Sequence, residues 1–120
     1  MNDTVCSVIV QLAEELSAKS DMKQQVSAVI FREGVGILGQ GYNHWLGTCS
    51  VPRSTVYGVP VRSIHAEIAA IRWTYRKYGE RAFTGATIYI HRRGNRLARP
   101  CSHCAQVIEM FGLNPIWSPI

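Results

Sequence analysis

Two short motifs constrain this chain more than any other feature: Pro100-Cys101-Ser102-His103-Cys104 and, upstream, His65-Ala66-Glu67. Each stands at the start of an apolar pattern of helical period. Cys101 and Cys104 are three apart, so on a helix they share a face, and Pro100 suits a residue that starts a helix without losing a backbone hydrogen bond. The positive end of a helix dipole favours their thiolate forms. His65 and Glu67 are two apart, about 200° around a regular helix, and cannot share a face in mid-helix. They must sit at the helix mouth, with His65 at the cap or first position, for both to reach one cleft.

Taken alone, a Cys-x-x-Cys pair is half of a structural zinc site, a redox pair, or two buried thiols. The His-x-Glu at a second helix start shifts the balance. One imidazole and two thiolates form a catalytic zinc set that leaves the fourth tetrahedral position to water. Glu67 would then leave the metal alone and carry a proton for the activated water. A closed site needs a fourth ligand, and Cys6, Cys49, His44, His91 and His103 are available but without recognisable spacing. A thioredoxin-like pair is expected just after a strand and without the His-x-Glu.

The rest of the chain reads as α/β. Apolar residues at Val5, Val8, Ile9, Leu12, Ala13 and Leu16 mark one face of a helix to about Lys19, capped by Asp3 or Thr4. Val26 to Arg32 and Val35 to Tyr42 form a hairpin turning at Glu33-Gly34. Asn43 to Arg62, with Pro52, Pro60, Gly47 and Gly58, reads as a loop of about 20 residues, a length that is usually functional or mobile. A second helix runs from Ser63 or His65 to Tyr78, with Ile64, Ile68, Ala70, Ile71, Trp73 and Tyr75 apolar, and ends at Gly79. Ala86 to His91 is a strand, Arg92 to Pro100 a basic loop or second hairpin turning at Gly94-Asn95, residues 101–111 a helix, and Pro115 to Ser118 a last strand. The order α-β-β-α-β-α-β predicts a mixed sheet with helices on its faces. At 120 residues, without repeats or linkers, one domain over 1–120 is expected.

The net charge of +5 is unevenly spread. Residues 1–52 carry three basic and five acidic side chains, residues 53–99 carry ten and two, and residues 100–120 carry only Glu109. Ten of the thirteen basic residues are Arg, which forks onto phosphate and carboxylate. An anionic ligand and a solvated basic surface both fit that composition. No stretch nears the roughly 18 apolar residues of a membrane span. Asp3 and the lack of an N-terminal basic patch argue against a signal peptide, so no membrane partner and a cytoplasmic location are expected. Four cysteines without such a signal do not suggest a disulfide framework.

The hairpin ending in Gly41-Tyr42-Asn43, the helix start Ser63 to Ile71 and the Pro100 to Cys104 motif occur in the order found in zinc-dependent cytidine and deoxycytidylate deaminases, and the chain resembles that family over most of its length. The resemblance implies a three-layer α/β/α sandwich around a mixed sheet of four or five strands. It implies one catalytic Zn²⁺ held by His65, Cys101 and Cys104, with Glu67 shuttling protons and Asn43 and Ala66 contacting substrate. The expected reaction is hydrolytic conversion of cytosine to uracil with release of ammonia, dCMP being the first choice within pyrimidine nucleotide metabolism. Cytosine in single-stranded DNA or RNA, or free cytidine, is the alternative. A non-catalytic zinc-stabilised binding module is a further one.

The link before Cys101 departs from the family's short Leu-Glu-Pro-Cys type. Arg92, Arg93, Arg96 and Arg99 are expected to neutralise a nucleotide phosphate, with a nucleic-acid backbone or a solvated hairpin as rival readings. Tyr42, Trp45 and Tyr57 could stack bases of a strand. Relatives continue through another strand and helix, so self-association is expected to cover the exposed sheet edge, making a homo-oligomer. Cys49 is expected to be unpaired.

Overall fold

A computed structural model describes residues 5–45, 55–56, 59–60 and 63–120. Tyr57, Cys49, and the caps Asp3 and Thr4 lie outside the described residues. The elements are α1 (Ser7–Ser17), β1 (Val26–Arg32), β2 (Gly36–Tyr42), β3 (His44–Trp45), β4 (Thr55–Val56), β5 (Val59–Pro60), β6 (Ser63–Ile64), α2 (Ala66–Tyr78), β7 (Thr87–Arg92), α3 (Ser102–Met110) and β8 (Asn114–Trp117). The seven long ones follow the predicted order.

The main sheet runs β2-β1-β7-β8. β1 pairs antiparallel with β2 and β7, and β7 pairs parallel with β8. β1 and β7 occupy the centre because their near-continuous apolar runs are buried on both faces. Strand alternation sends Ala28, Ile30, Ile88 and Ile90 to one face, where they meet Ala70 and Ile71 of α2 and Ile108 of α3. Val29, Phe31 and Tyr89 take the other face, against Ile9, Ala13 and Leu16 of α1. Each large side chain so buried contributes roughly 1.5–3 kcal/mol, and the result is the expected three-layer sandwich.

Several local expectations are corrected. Cys6 holds the cap position of α1 and makes no side-chain cap bond. Val8, read as part of the buried stripe, is exposed, as are Trp73 and Tyr75 of α2, because apolar period alone does not reveal which flank of a helix overhangs the sheet. The 43–62 segment is not structureless: His44↔Ile64 and Trp45↔Ser63 pair antiparallel, and β4 pairs with β5. No helix among the described residues is long and apolar enough to cross a membrane.

The seat of α2 is set by two glycines of β2. A Cβ at Gly39 would lie 1.8 Å from Thr74 Oγ1, and one at Gly41 would lie 2.6 Å from the Ala70 nitrogen. The helix therefore packs on strand backbone directly, with its first turn pinned near the end of β2.

Candidate active site

His65 occupies the N-cap of α2 with extended φ −74°, ψ 151°, and its carbonyl accepts from Ala69 N–H at 3.0 Å. Cys101 occupies the N-cap of α3, again extended, and its Sγ accepts from Cys104 N–H at 3.5 Å. Pro100 thus precedes the cap rather than opening the helix. Both motifs sit at helix mouths, as their spacing requires.

The three donor atoms lie within 4.8 Å of one another. His65 Nδ1 is 3.2 Å from Cys104 Sγ and 3.7 Å from Cys101 Sγ. A tetrahedron with standard zinc bonds has nitrogen to sulfur edges of about 3.5 Å, so the residues fit the ion. The chemistry of the donors agrees. Burial first, then the neighbouring Glu67 carboxylate, pushes the Cys104 thiol up, so its thiolate requires a cation beside it. Among the described residues the cluster has these three members.

Glu67 lies in the first turn of α2 and is only 5 % exposed. Burial holds its carboxyl above the usual range, opposed by a backbone hydrogen bond, the charge of His65 and the Cys104 thiol. A carboxyl so placed exchanges protons more readily near neutral pH than an exposed one.

His91, one of the spare histidines, is committed elsewhere. It is buried on the α1 face, where Tyr89 Oη donates to Nδ1 at 2.8 Å and Nε2 donates to Glu14 Oε1 at 2.7 Å. The Tyr89 hydroxyl is pushed up to about 12, chiefly by burial, and remains a neutral donor.

A cleft of about 490 Å³ opens over the metal cluster. His65, Glu67 and Cys101 line it together with Asn43, Ala66, Arg92 and Arg99. Arg93 and Arg96 do not: they face an adjoining hollow, because the tight turn at residues 93–95 carries them past the rim. Asn43 reaches the cleft but is already bonded twice. Its Oδ1 accepts from Val26 N–H at 2.9 Å and its Nδ2 donates to the Gln24 carbonyl at 2.6 Å. It ties the segment before β1 to the end of β2, leaving one N–H and one lone pair for a ligand. Sequence reasoning missed Lys23 and Leu97, which also line the cleft. Lys23 stands in the acidic first third of the chain, and nothing local marks it. Trp45, 51 % exposed, forms part of the rim, whereas Tyr42 packs against the α1-side core and only borders a separate groove along β2 and α2.

A model of the cytidine and deoxycytidylate deaminase zinc-binding region matches residues 3–117. The chain belongs to that family. It is a zinc-dependent hydrolase of the deaminase type, with His65, Cys101 and Cys104 placed to hold the ion. The fold is also that of solved relatives. The structure of dCMP deaminase from the cyanophage S-TIM5 in apo form superposes with a TM-score of 0.66 at 21% identity, over 98% of this chain and 84% of that one. The same cyanophage enzyme in complex with dCMP and dUMP gives 0.69 at 21% identity, over 98% and 82%. No protein of curated function matches the sequence at a significant level.

Proposed function

We propose that this deaminase acts on the cytosine base of a nucleotide, dCMP being converted to dUMP with release of ammonia. The observation that carries the reading is the cleft itself: a three-donor metal cluster and a buried carboxyl at its floor, with Lys23, Arg92 and Arg99 around it. Zinc, when bound, supplies a Lewis acid that lets water lose a proton near neutral pH. Glu67 takes that proton on a carboxylate oxygen and delivers it to N3 of the ring, as water oxygen adds at C4. A second proton relayed through the same carboxylate leaves with the amine, so cytosine and water become uracil and ammonia.

The other lining residues position the substrate. Trp45 and Leu97 offer apolar flanks to the base, and the free N–H of Asn43 is available to the sugar or ring carbonyl. Lys23, Arg92 and Arg99 face the phosphate, the two guanidinium groups by forked, charge-assisted bonds. The dCMP and dUMP bound in the cyanophage enzyme support a nucleotide of this size.

Ammonia release from dCMP, deoxycytidine, cytidine and a cytosine-containing oligonucleotide tests the reading. Turnover of dCMP far above the rest is expected. Exposed Trp45 beside a basic rim favours a second reading, cytosine in a single strand. Release confined to the oligonucleotide, with steep salt dependence, would replace the first reading by the second.

We also propose that the protein is a cytoplasmic homo-oligomer. The sheet ends in two strand edges, β2 and β8, and the α2–α3 layer exposes Trp73, Tyr75, Tyr78 and Met110. Sedimentation at micromolar concentration should give a mass above one chain, and a monomer would refute this part.

A further inference from the structure

Of the four arginines from the last residue of β7 to the start of α3, the proposed reaction uses two. Arg93 and Arg96 line a hollow of about 340 Å³ beside the cleft, and Lys23, Gln24 and Arg92 belong to both. Among the described residues four cations, Lys23, Arg92, Arg93 and Arg96, face one carboxylate, that of Glu14. This carboxylate is already engaged, accepting from His91 Nε2 at 2.7 Å and from Gly94 N–H at 3.0 Å, with Arg93 Nε 4.0 Å from its other oxygen, so one negative charge is shared among the four cations. Like charges gathered in one hollow repel, and an anion relieves that repulsion.

Backbone geometry holds the cations in place. Arg96 N–H donates to the Arg92 carbonyl at 3.2 Å, closing a turn in which Gly94 and Asn95 take φ of 78° and 58°. Arg93 donates to the Gln25 carbonyl through its N–H at 2.9 Å and to Gln25 Oε1 through Nη1 at 2.8 Å. On the opposite wall Asn43 fixes the Gln24 carbonyl. Among the described residues the hollow is lined by polar and charged side chains and by Gly94, with no aromatic face on which a neighbouring base could stack. It suits a phosphate without a base.

We propose that this hollow is a second phosphate subsite, joined to the cleft through Lys23 and Arg92, which takes an outer phosphate of a cytosine nucleoside di- or triphosphate. The inference rests on the cytosine nucleotide reading above and widens its substrate class from one phosphate to several. Lys23 and Arg92 hold the phosphate next to the sugar, and Arg93 and Arg96 hold the next one.

The test compares zinc-loaded native protein with Arg93→Gln/Arg96→Gln, near physiological salt. KM is measured for dCMP, dCDP and dCTP, and pyrophosphate binding is measured by calorimetry against orthophosphate. The double variant should raise KM for dCDP and dCTP about tenfold or more, loosen pyrophosphate equally, and leave KM for dCMP within about twofold, as expected for losing charge-assisted bonds to the second phosphate alone. Arg93→Lys/Arg96→Lys should recover part of the loss, and melting temperatures should confirm that all variants fold. Equal losses for dCMP and dCDP would overturn the proposal, as would native protein that binds pyrophosphate no tighter than orthophosphate. Oligonucleotide turnover weakened by the double variant, with dCDP and dCTP unaffected, would overturn it too. If no cytosine compound releases ammonia while pyrophosphate binding still depends on Arg93 and Arg96, the subsite stands and the deaminase substrate reading fails.

Discussion

Glu67 combines two properties that pull against each other: it is almost fully buried, yet it is an acid beside a second acidic group, the Cys104 thiol. A backbone hydrogen bond, the charge of His65 and the Cys104 thiol offset part of the cost of that burial. Glu67→Gln keeps the shape and the hydrogen bonding but cannot carry a proton, so turnover should fall by at least about 10²–10⁴-fold with zinc content unchanged, as metal analysis and ammonia release would show. Glu14, on the opposite face, is structural. Its bond from His91, then that from Gly94, holds its carboxyl below the ordinary 4.5. Its stabilisation is therefore complete above about pH 4.5 and is lost as the pH falls through the lowered native value. Glu14→Gln should cost about 1 kcal/mol or less near neutral pH, since the side chain is partly solvated, and should flatten acid unfolding below pH 4.5. The placement of His65 and Glu67 at one helix mouth was legible because a two-residue spacing admits few helical placements. The bonds of Asn43 and His91 were not: their partners stand 17 and 77 residues away, and local sequence carries no trace of such contacts.

At the scale of elements, β1, β7, α1 and α3 were readable from period and length, because each buries a repeating apolar pattern. The paired dipeptides β3 with β6 and β4 with β5 were not, since two residues define no period. Nor did the pattern say how closely α2 approaches the sheet, a distance set by Gly39 and Gly41. Gly41→Ala should drive a methyl into the backbone of α2 and cost about 1–3 kcal/mol in denaturant unfolding. Because that helix carries His65, the same variant should also release zinc faster to a chelator than the native protein, whereas Gly34→Ala, in the open turn of the hairpin, should affect stability alone.

For the molecule as a whole, the cleft and its metal cluster lie where two helix starts converge, and six of the described arginines in residues 53–99 fall on separate surfaces. Arg99 belongs to the cleft, Arg92 to both the cleft and the hollow beside it, Arg93 and Arg96 to the hollow, and Arg72 and Arg76 to the groove along β2 and α2. A net charge could not have distinguished them, because it sums over the surface without regard to direction. His65 and Cys101 stand 36 positions apart in sequence. In polymer terms, an ion bound by both acts as a reversible cross-link that closes a loop of that length. A permanent link across such a loop removes about 4 kcal/mol of chain entropy from the unfolded state. Stripping the metal should therefore lower the melting temperature by well over ten degrees in a calorimetric scan and broaden the transition, with restored zinc reversing both. The reaction centre then doubles as the fastener between two distant stretches of chain.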